Sequence, residues 1–410
     1  MSNYTTAKHI SGKPAIYSAS APLWELAFRP FFLLASAVSV FALAAWVGIL
    51  NSWSLWLPVF SPVLWHIHEM IFGFALTIAA AFLLTAVQTW TGLRSLHGKS
   101  LMLLVVIWLL IRLLIWQPWW AVNNVLMLAV LLLQTSWWLI VIGCFSRLLI
   151  RADNRRNYFL IPLLLIIACL NLLFIYLSYG GFFNEALHVG RSVILFFGVV
   201  IAVISGRVIP MFTRNGCRMA GVETDIKPTP RLDQVLVLLS FIAASSYLLS
   251  GWIREISDLG IEWLLFLVAI LHIYRQSHWQ ALKTFYIPLL WSLHLSYCFL
   301  ALGLIAVFIS EVSPIIRSGD AFHLITVGAL GGMILAMIAR VSLGHTGRPL
   351  VASRLISIAF ALIFMAALIR FLFPMFQLAL WGWNLSVMCW GIAFSLFCYV
   401  YFPILTKDRV

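Results

Sequence analysis

The chain has 410 residues, of which 63% are apolar and only 10% are charged, whereas roughly a quarter of the residues in a soluble domain are charged. This composition excludes a soluble globular protein. The formal charge of +13 does not indicate a nucleic-acid partner, because the Lys and Arg side chains lie in short loops between apolar segments, where membrane topology explains them. We therefore expect a polytopic protein whose main surroundings are membrane lipid.

Apolar segments of about 20 residues, the length that a helix needs to cross a bilayer, recur along the whole chain between charged or Pro- and Gly-rich breaks. We expect a cytoplasmic N-terminal segment at 1–29 and a single membrane domain at 30–410, with candidate halves at 30–206 and 232–403. The fold class is predicted to be all-α, a bundle of about twelve transmembrane helices at residues 30–50, 64–88, 100–117, 121–143, 157–179, 185–206, 232–253, 258–274, 284–310, 320–339, 354–373 and 376–403.

The distribution of positive charge predicts the orientation of these helices. Counted over alternate loops, 21 of the 26 Lys and Arg residues fall on one side. Because Lys and Arg in short loops stay in the cytoplasm, both termini are predicted to be cytoplasmic. The five positive residues on the other side are Arg112, Arg191, Arg254, Arg317 and Arg370.

Histidines are the most informative polar residues, because an ionisable group inside a bilayer is costly and usually has a partner or a function. Of ten, five are expected to be solvated, in the tail, in loops or at a span end: His9, His97, His272, His278 and His345. The other five lie within predicted spans and are expected in the outer half of the bundle, with His294 nearer its middle: His66, His68, His188, His294 and His323.

These five imidazoles favour a metal site. Histidine is the commonest protein ligand for metals, haem iron and copper among them, and helix bundles supply such ligands from facing helices. Five histidines suffice for an axial haem ligand or pair together with a copper site. Each one alone could equally be a hydrogen-bonded histidine near the interface.

The densest polar group contains His66, His68 and Glu69. His66 and Glu69 share a helix face, whereas His68 points about 200° away from His66, so the two imidazoles need not bind the same ion. Glu69, the only acidic residue clearly inside a span, is the candidate catalytic residue, as a proton carrier or as a carboxylate that orients a ligand imidazole. It could also be an acid stabilised by the dipole at a helix N-terminus.

Two further residues are candidates for cofactor binding. Arg191 is three positions after His188, and its guanidinium suits a carboxylate such as a haem propionate, although an Arg near a span end can also extend into the interface. Tyr297 is three positions after His294 and could donate a hydrogen bond or a proton to a bound ligand. Ordinary packing is the alternative for Tyr297.

Several sequence motifs resemble those of the NnrS family of bacterial membrane proteins. They occur in the expected order over most of the chain: LAFRPFF at 26–32, WHIHEMIFGF at 65–74, WTG at 90–92, RRNY at 155–158, GRVIPMFT at 206–213, WSLH at 291–294, HLITVGA at 323–329 and GHTGR at 344–348.

This resemblance implies haem, of b type, and copper, with a role in nitric oxide metabolism at the bacterial cytoplasmic membrane. The leading hypothesis is a protein that binds or reduces nitric oxide in nitrosative-stress defence or denitrification, as a possible nitric oxide reductase-type oxidoreductase with an unidentified electron donor. Two alternatives remain open. One is a non-catalytic binder that sequesters nitric oxide or protects iron, and the other is a transporter of metal or haem.

Overall fold

The computed structural model describes residues 16–410, so His9 and the first half of the predicted N-terminal segment lie outside the described range. The described chain is dominated by long helices joined by short loops. In chain order they are α1 (Phe28–Leu50), α2 (Pro62–Thr91), α3 (Gly98–Ile115), α4 (Asn124–Arg151), α5 (Leu160–Tyr179), α6 (Phe183–Met219), α7 (Pro230–Ser250), α8 (Ile261–Ser277), α9 (Pro288–Val312), α10 (Ser318–His345), α11 (Arg354–Met375) and α12 (Ala379–Leu405).

Eleven helices in the described range are long and apolar enough to cross a membrane, so the chain is an all-α, multi-pass membrane protein. The remaining helix, α8, corresponds to the predicted span 258–274 but has only 17 residues, about 26 Å at helical rise against a bilayer core of about 30 Å. The count of twelve and the orientation of the termini therefore stay predictions.

Side chains at the helix N-termini account for where two of the helices begin. The side chain of Ser61 accepts a hydrogen bond from the backbone of Leu64 at the start of α2, and Pro62 occupies the first turn, where its missing N–H costs nothing. Asn123 caps α4 in the same way, through the backbone N–H of Leu126. Such caps satisfy N–H groups that the helix itself leaves free.

Helix α6 is longer than the sequence predicts. The predicted span ends at 206, but the helix continues to Met219 and has 37 residues, roughly 55 Å at helical rise. Pro210 lies inside it and removes only one backbone hydrogen bond, because it has no N–H. The polar residues after Arg207, predicted as a connection, are therefore largely helical.

Two helices near the centre of the bundle contain π-helical segments. They are His68–Ala75 in α2 and Leu324–Gly331 in α10. π-Helical turns are rare and occur frequently at functional sites. Both begin beside predicted ligands, at His68 and immediately after His323.

Glycines let α10 pack closely at the bundle centre. A Cβ atom at Gly328 would overlap the ring of Phe299 in α9, and a Cβ atom at Gly331 would overlap Trp390 in α12. Small residues allow helices in membranes to approach closely and gain van der Waals contact. Of the 18 most apolar consecutive residues of α10, 89% are buried, which makes this helix part of the core.

Reporter fusions test whether α8 crosses the membrane. We expect alkaline phosphatase fused after Ser257, between α7 and α8, to be active, and the same enzyme fused after Lys283, between α8 and α9, to be inactive. Arg275 and Lys283 near the second junction retain it in the cytoplasm. Equal activities at the two junctions would show that α8 does not cross, and would place the termini on opposite sides.

Candidate metal centre

Two of the predicted ligand histidines face one another between α2 and α10. The ring centroids of His66 and His323 are 6.3 Å apart, and the ring planes differ by 10°. A metal–nitrogen bond is about 2 Å long and a ring nitrogen lies about 1 Å from its centroid, so two imidazoles that hold one ion have centroids no more than about 6 Å apart. The observed separation fits a shared ion.

Each of these two imidazoles has a nitrogen available for a ligand. Nδ1 of His323 donates to the backbone carbonyl of Gly319, one turn earlier in α10, which leaves Nε2 free to bind a metal. Nδ1 of His66 is buried and has no hydrogen-bond partner within residues 16–410. A buried polar atom without a partner costs roughly 1–3 kcal/mol, and a ligand at this nitrogen would remove that cost.

A cavity lies beside the two rings. Trp46 stacks on His66 with 4.7 Å between ring centroids, and the guanidinium of Arg370 and the indole of Trp383 also line the space. The cavity leaves about 60 Å³ for water-sized molecules, within about 600 Å³ not filled by protein atoms. A metal ion or a diatomic gas fits as the side chains stand, whereas a porphyrin requires some of them to move apart.

An apolar second cavity adjoins the first. It leaves about 70 Å³ for water-sized molecules, and Ala75 and Leu330 line both cavities. Its walls are aliphatic and aromatic apart from Ser205, and include Met333. Apolar cavities accept apolar guests, so this cavity suits a small apolar molecule.

The third outer histidine, His68, points to a different face of α2, as the helical spacing predicts. Its ring packs against Phe60 and Phe174. Nδ1 lies 3.2 Å from Oε1 of Glu69, while Nε2 is buried without a partner in the described chain. A carboxylate on one ring nitrogen and a free second nitrogen is the usual arrangement of a metal-binding histidine.

Glu69 is held by three neighbours. Nη1 of Arg112 donates to Oε1 at 2.7 Å, Nε1 of Trp116 donates to Oε2 at 2.9 Å, and His68 approaches Oε1. Glu69 is the eighth residue of α2, so the helix-dipole explanation is wrong, since that effect is confined to the first turn. The contacts fit the expected role of orienting an imidazole, and they leave little freedom for proton transfer.

Metal ligands are few in this region. Within residues 16–410, no group of three or more His, Cys, Asp or Glu side chains lies close enough to hold a metal ion. A metal between His66 and His323 would therefore find no third ligand of these four residue types in the described range. A haem iron needs few ligands from the protein, so His66 and His323 would be the residues that hold it.

His188 and Arg191 are engaged elsewhere at the same end of the bundle. Nε2 of His188 donates to the carbonyl of Leu248 at 3.1 Å, and its ring stacks on Tyr247. Arg191 lies over the ring of Phe322, with 5.7 Å between Cζ and the ring centroid. The structure does not bring either residue into the cavity beside His66 and His323.

His294 lies at the opposite end of the bundle. Its Nε2 is 2.9 Å from the hydroxyl of Thr213, which follows His188 by 25 residues on α6, roughly 37 Å at helical rise. The expectation that five imidazoles gather in the outer half is therefore wrong for His294, because α9 crosses with this residue near its start. Nδ1 of His294 is buried without a partner in the described chain, so its role as a ligand stays a prediction, separate from the site between α2 and α10.

Tyr297 belongs to a separate polar cluster. Its hydroxyl donates to Nδ1 of His272 at 2.6 Å and accepts from Arg275 at 3.1 Å. The prediction that His272 is solvated is wrong, since only 1% of this residue is exposed. Packing of α8 against α9 turns His272 inward, towards Tyr297 and Ser240. Tyr297 therefore contacts protein groups and not the cavity.

Two residues beside the site were not predicted as part of it. Arg112 and Arg370 were counted only as positive charges on the outer side, yet Arg112 pairs with Glu69, and Arg370 pairs with Asp320 while lining the cavity. Their positions inside the apolar spans α3 and α11 were the available signal, because a charge there needs a partner.

One known protein family matches nearly the whole chain. The family model described as NnrS protein matches residues 22–409 of the 410 residues. No curated protein matches the chain. The match includes both facing histidines, the π-helical segments that follow them, and Glu69 with its partner Arg112.

Replacing Arg112 tests the buried ion pair. We expect Arg112→Leu to lower the free energy of unfolding in detergent by about 3–5 kcal/mol, because it leaves the Glu69 carboxylate buried and unpaired. The matched control is Arg317→Leu, which removes a guanidinium whose side chain is 58% exposed in its pair with Asp320, and should cost at most about 1 kcal/mol. Similar losses for both variants would contradict the assignment.

Proposed function

The chain belongs to the NnrS family, and from this premise we propose that it is a haem- and copper-containing protein of the bacterial cytoplasmic membrane that binds or reduces nitric oxide. Family membership suggests a role in nitric oxide metabolism. The observation that supports a metal site most directly is the 6.3 Å separation of the His66 and His323 rings. Nitrosative-stress defence and denitrification are the processes that such an activity would serve.

The residues fit two metal positions. In this proposal His66 and His323 hold one metal between α2 and α10, and His68 holds a second with Glu69 orienting its ring. A haem or copper ion supplies a coordination position for the gas and a means of exchanging electrons. Held by His66 and His323 alone, a copper ion would keep positions open for nitric oxide, whereas a haem held by the same two residues would offer the gas less access.

The protein around these positions suits a small apolar ligand. Nitric oxide dissolves in lipid, and the aliphatic cavity that shares Ala75 and Leu330 with the imidazole cavity would admit it from the bundle interior. Apolar walls also exclude water. The guanidinium of Arg370, which is paired with Asp320, adds hydrogen-bond donors beside the rings for a haem propionate or a bound anion.

Binding has more support than reduction. Reducing two molecules of nitric oxide to nitrous oxide and water takes two electrons and two protons. Among the described residues that line the imidazole cavity there is no Asp or Glu, and both oxygens of Glu69 are occupied by Arg112 and Trp116. A non-catalytic binder is therefore the form of this proposal that the geometry favours.

Single His variants test the ligand assignment. His66→Ala and His323→Ala should each lower the affinity for the shared metal about tenfold or more, and His68→Ala should remove the other metal. The measurements are a reduced-minus-oxidised optical spectrum and metal analysis of purified protein. His188→Ala is the matched control, because that ring bonds a backbone carbonyl. Full metal content in all three variants would overturn the assignment.

Nitric oxide consumption distinguishes binding from reduction. With purified, metal-loaded protein and excess reductant under anaerobic conditions, we expect uptake to stop near one nitric oxide per metal, because no free carboxylate in the described lining delivers protons. An electrode measures uptake, and gas analysis measures nitrous oxide. Sustained consumption with nitrous oxide release would establish a reductase. Its loss in Glu69→Gln with unchanged metal content would then identify the proton route.

A further inference from the structure

Three motifs that the metal site does not use meet at the end of the bundle predicted to face the cytoplasm. The amide of Asn154 donates to the carbonyl of Trp90, and the amide of Asn157 donates to Asn154. Nη1 of Arg207 donates to Oδ1 of Asn157 at 2.7 Å. The segments 90–92, 155–158 and 206–213 are thus joined by one chain of hydrogen bonds that ends at a guanidinium.

Arg207 is held in one orientation beside a second positive charge. Its guanidinium lies over the ring of Phe159, with 5.4 Å between Cζ and the ring centroid. Arg156 and Arg207 line the same groove on the protein surface. In the described part of the chain neither of these arginines forms an ion pair with an acid, because Asp153 pairs with Arg155 and Asp233 pairs with Arg275.

These arginines lie at the mouth of a groove. It has a volume of about 580 Å³ and is lined by α5, α6 and α7, by the residues just before α5, and by Arg275 of α8. Leu163 and Val199 are among its apolar walls, and Val199 precedes Arg207 by eight residues, roughly 12 Å towards the bilayer centre at helical rise. Leu238, 58% exposed, forms the open side. The groove therefore has a positively charged end, at Arg156 and Arg207, and an apolar part between Leu163 and Leu238, which we call the trough.

We propose that this groove binds one anionic phospholipid, with its phosphate between Arg156 and Arg207 and an acyl chain along the trough. The two guanidiniums supply hydrogen-bond donors and charge that suit a phosphate. Basic pockets between membrane helices on the cytoplasmic side bind acidic lipid headgroups. Asp233 also lines the groove, but Arg275 neutralises it at 2.6 Å.

The apolar trough distinguishes a lipid from a free anion. A soluble phosphate or nitrite would satisfy the arginines but would leave the trough between Leu163 and Leu238 to other lipid or to water. A phospholipid satisfies both parts of the groove at once, since it carries the anion and the hydrocarbon on one molecule. The proposal does not depend on a metal or on nitric oxide.

Native mass spectrometry of full-length protein released from vesicles tests this inference. In vesicles with equal phosphatidylglycerol and phosphatidylcholine, we expect one retained phosphatidylglycerol per chain. Arg156→Gln/Arg207→Gln should lower its retention about tenfold or more. The control, Arg151→Gln/Arg155→Gln, loses the same charge from exposed positions on the same end and should keep the lipid.

A variant that fills the groove distinguishes loss of the binding site from misfolding of the protein. Leu238→Trp leaves both arginines in place and occupies the open side of the trough, so it too should lower retention, with an unchanged unfolding temperature. Added inorganic phosphate should not displace the lipid. Equal retention in both double variants, no preference for phosphatidylglycerol, or displacement by phosphate would each overturn the proposal.

Discussion

Two ion pairs fix the helices that carry the facing imidazoles. Glu69, three residues after His66, pairs with Arg112 and joins α2 to α3, while Asp320, three residues before His323, pairs with Arg370 and joins α10 to α11. Isolated charges inside a bundle cost several kcal/mol, and breaking such a pair is strongly destabilising. The rotation of α2 and of α10 is therefore constrained beside the two rings.

The availability of ring nitrogens separates the outer histidines into two kinds. His66 and His68 each have one buried ring nitrogen without a partner in the described chain, and His323 is oriented by the bond of its Nδ1 to Gly319. All three lie beside π-helical segments. His188, in contrast, bonds a backbone carbonyl between aromatic rings. Unsatisfied buried nitrogens mark sites where a ligand lowers the free energy, since a buried polar atom is stable only with a partner.

The two ends of the bundle have different chemistry. The end with the imidazoles combines aromatic walls, internally paired charges and small cavities, which suit a metal and an apolar gas. The other end presents Arg156 and Arg207 without acidic partners in the described chain, beside an apolar trough that suits a lipid. The polar cluster of Tyr297, His272 and Arg275 lies between helices near that second end and stabilises their packing.

Sequence alone determined the helical class, eleven of the approximate spans, the family and which histidines lie within apolar segments, because hydropathy over about 20 residues and helical spacing are local properties. It also placed His66 and His68 on different faces. Only the tertiary structure decided that His66 meets His323, that Glu69 meets Arg112, and that His294 lies at the far end. Those outcomes depend on how helices rotate and pack against one another, which helical periodicity within one segment does not specify.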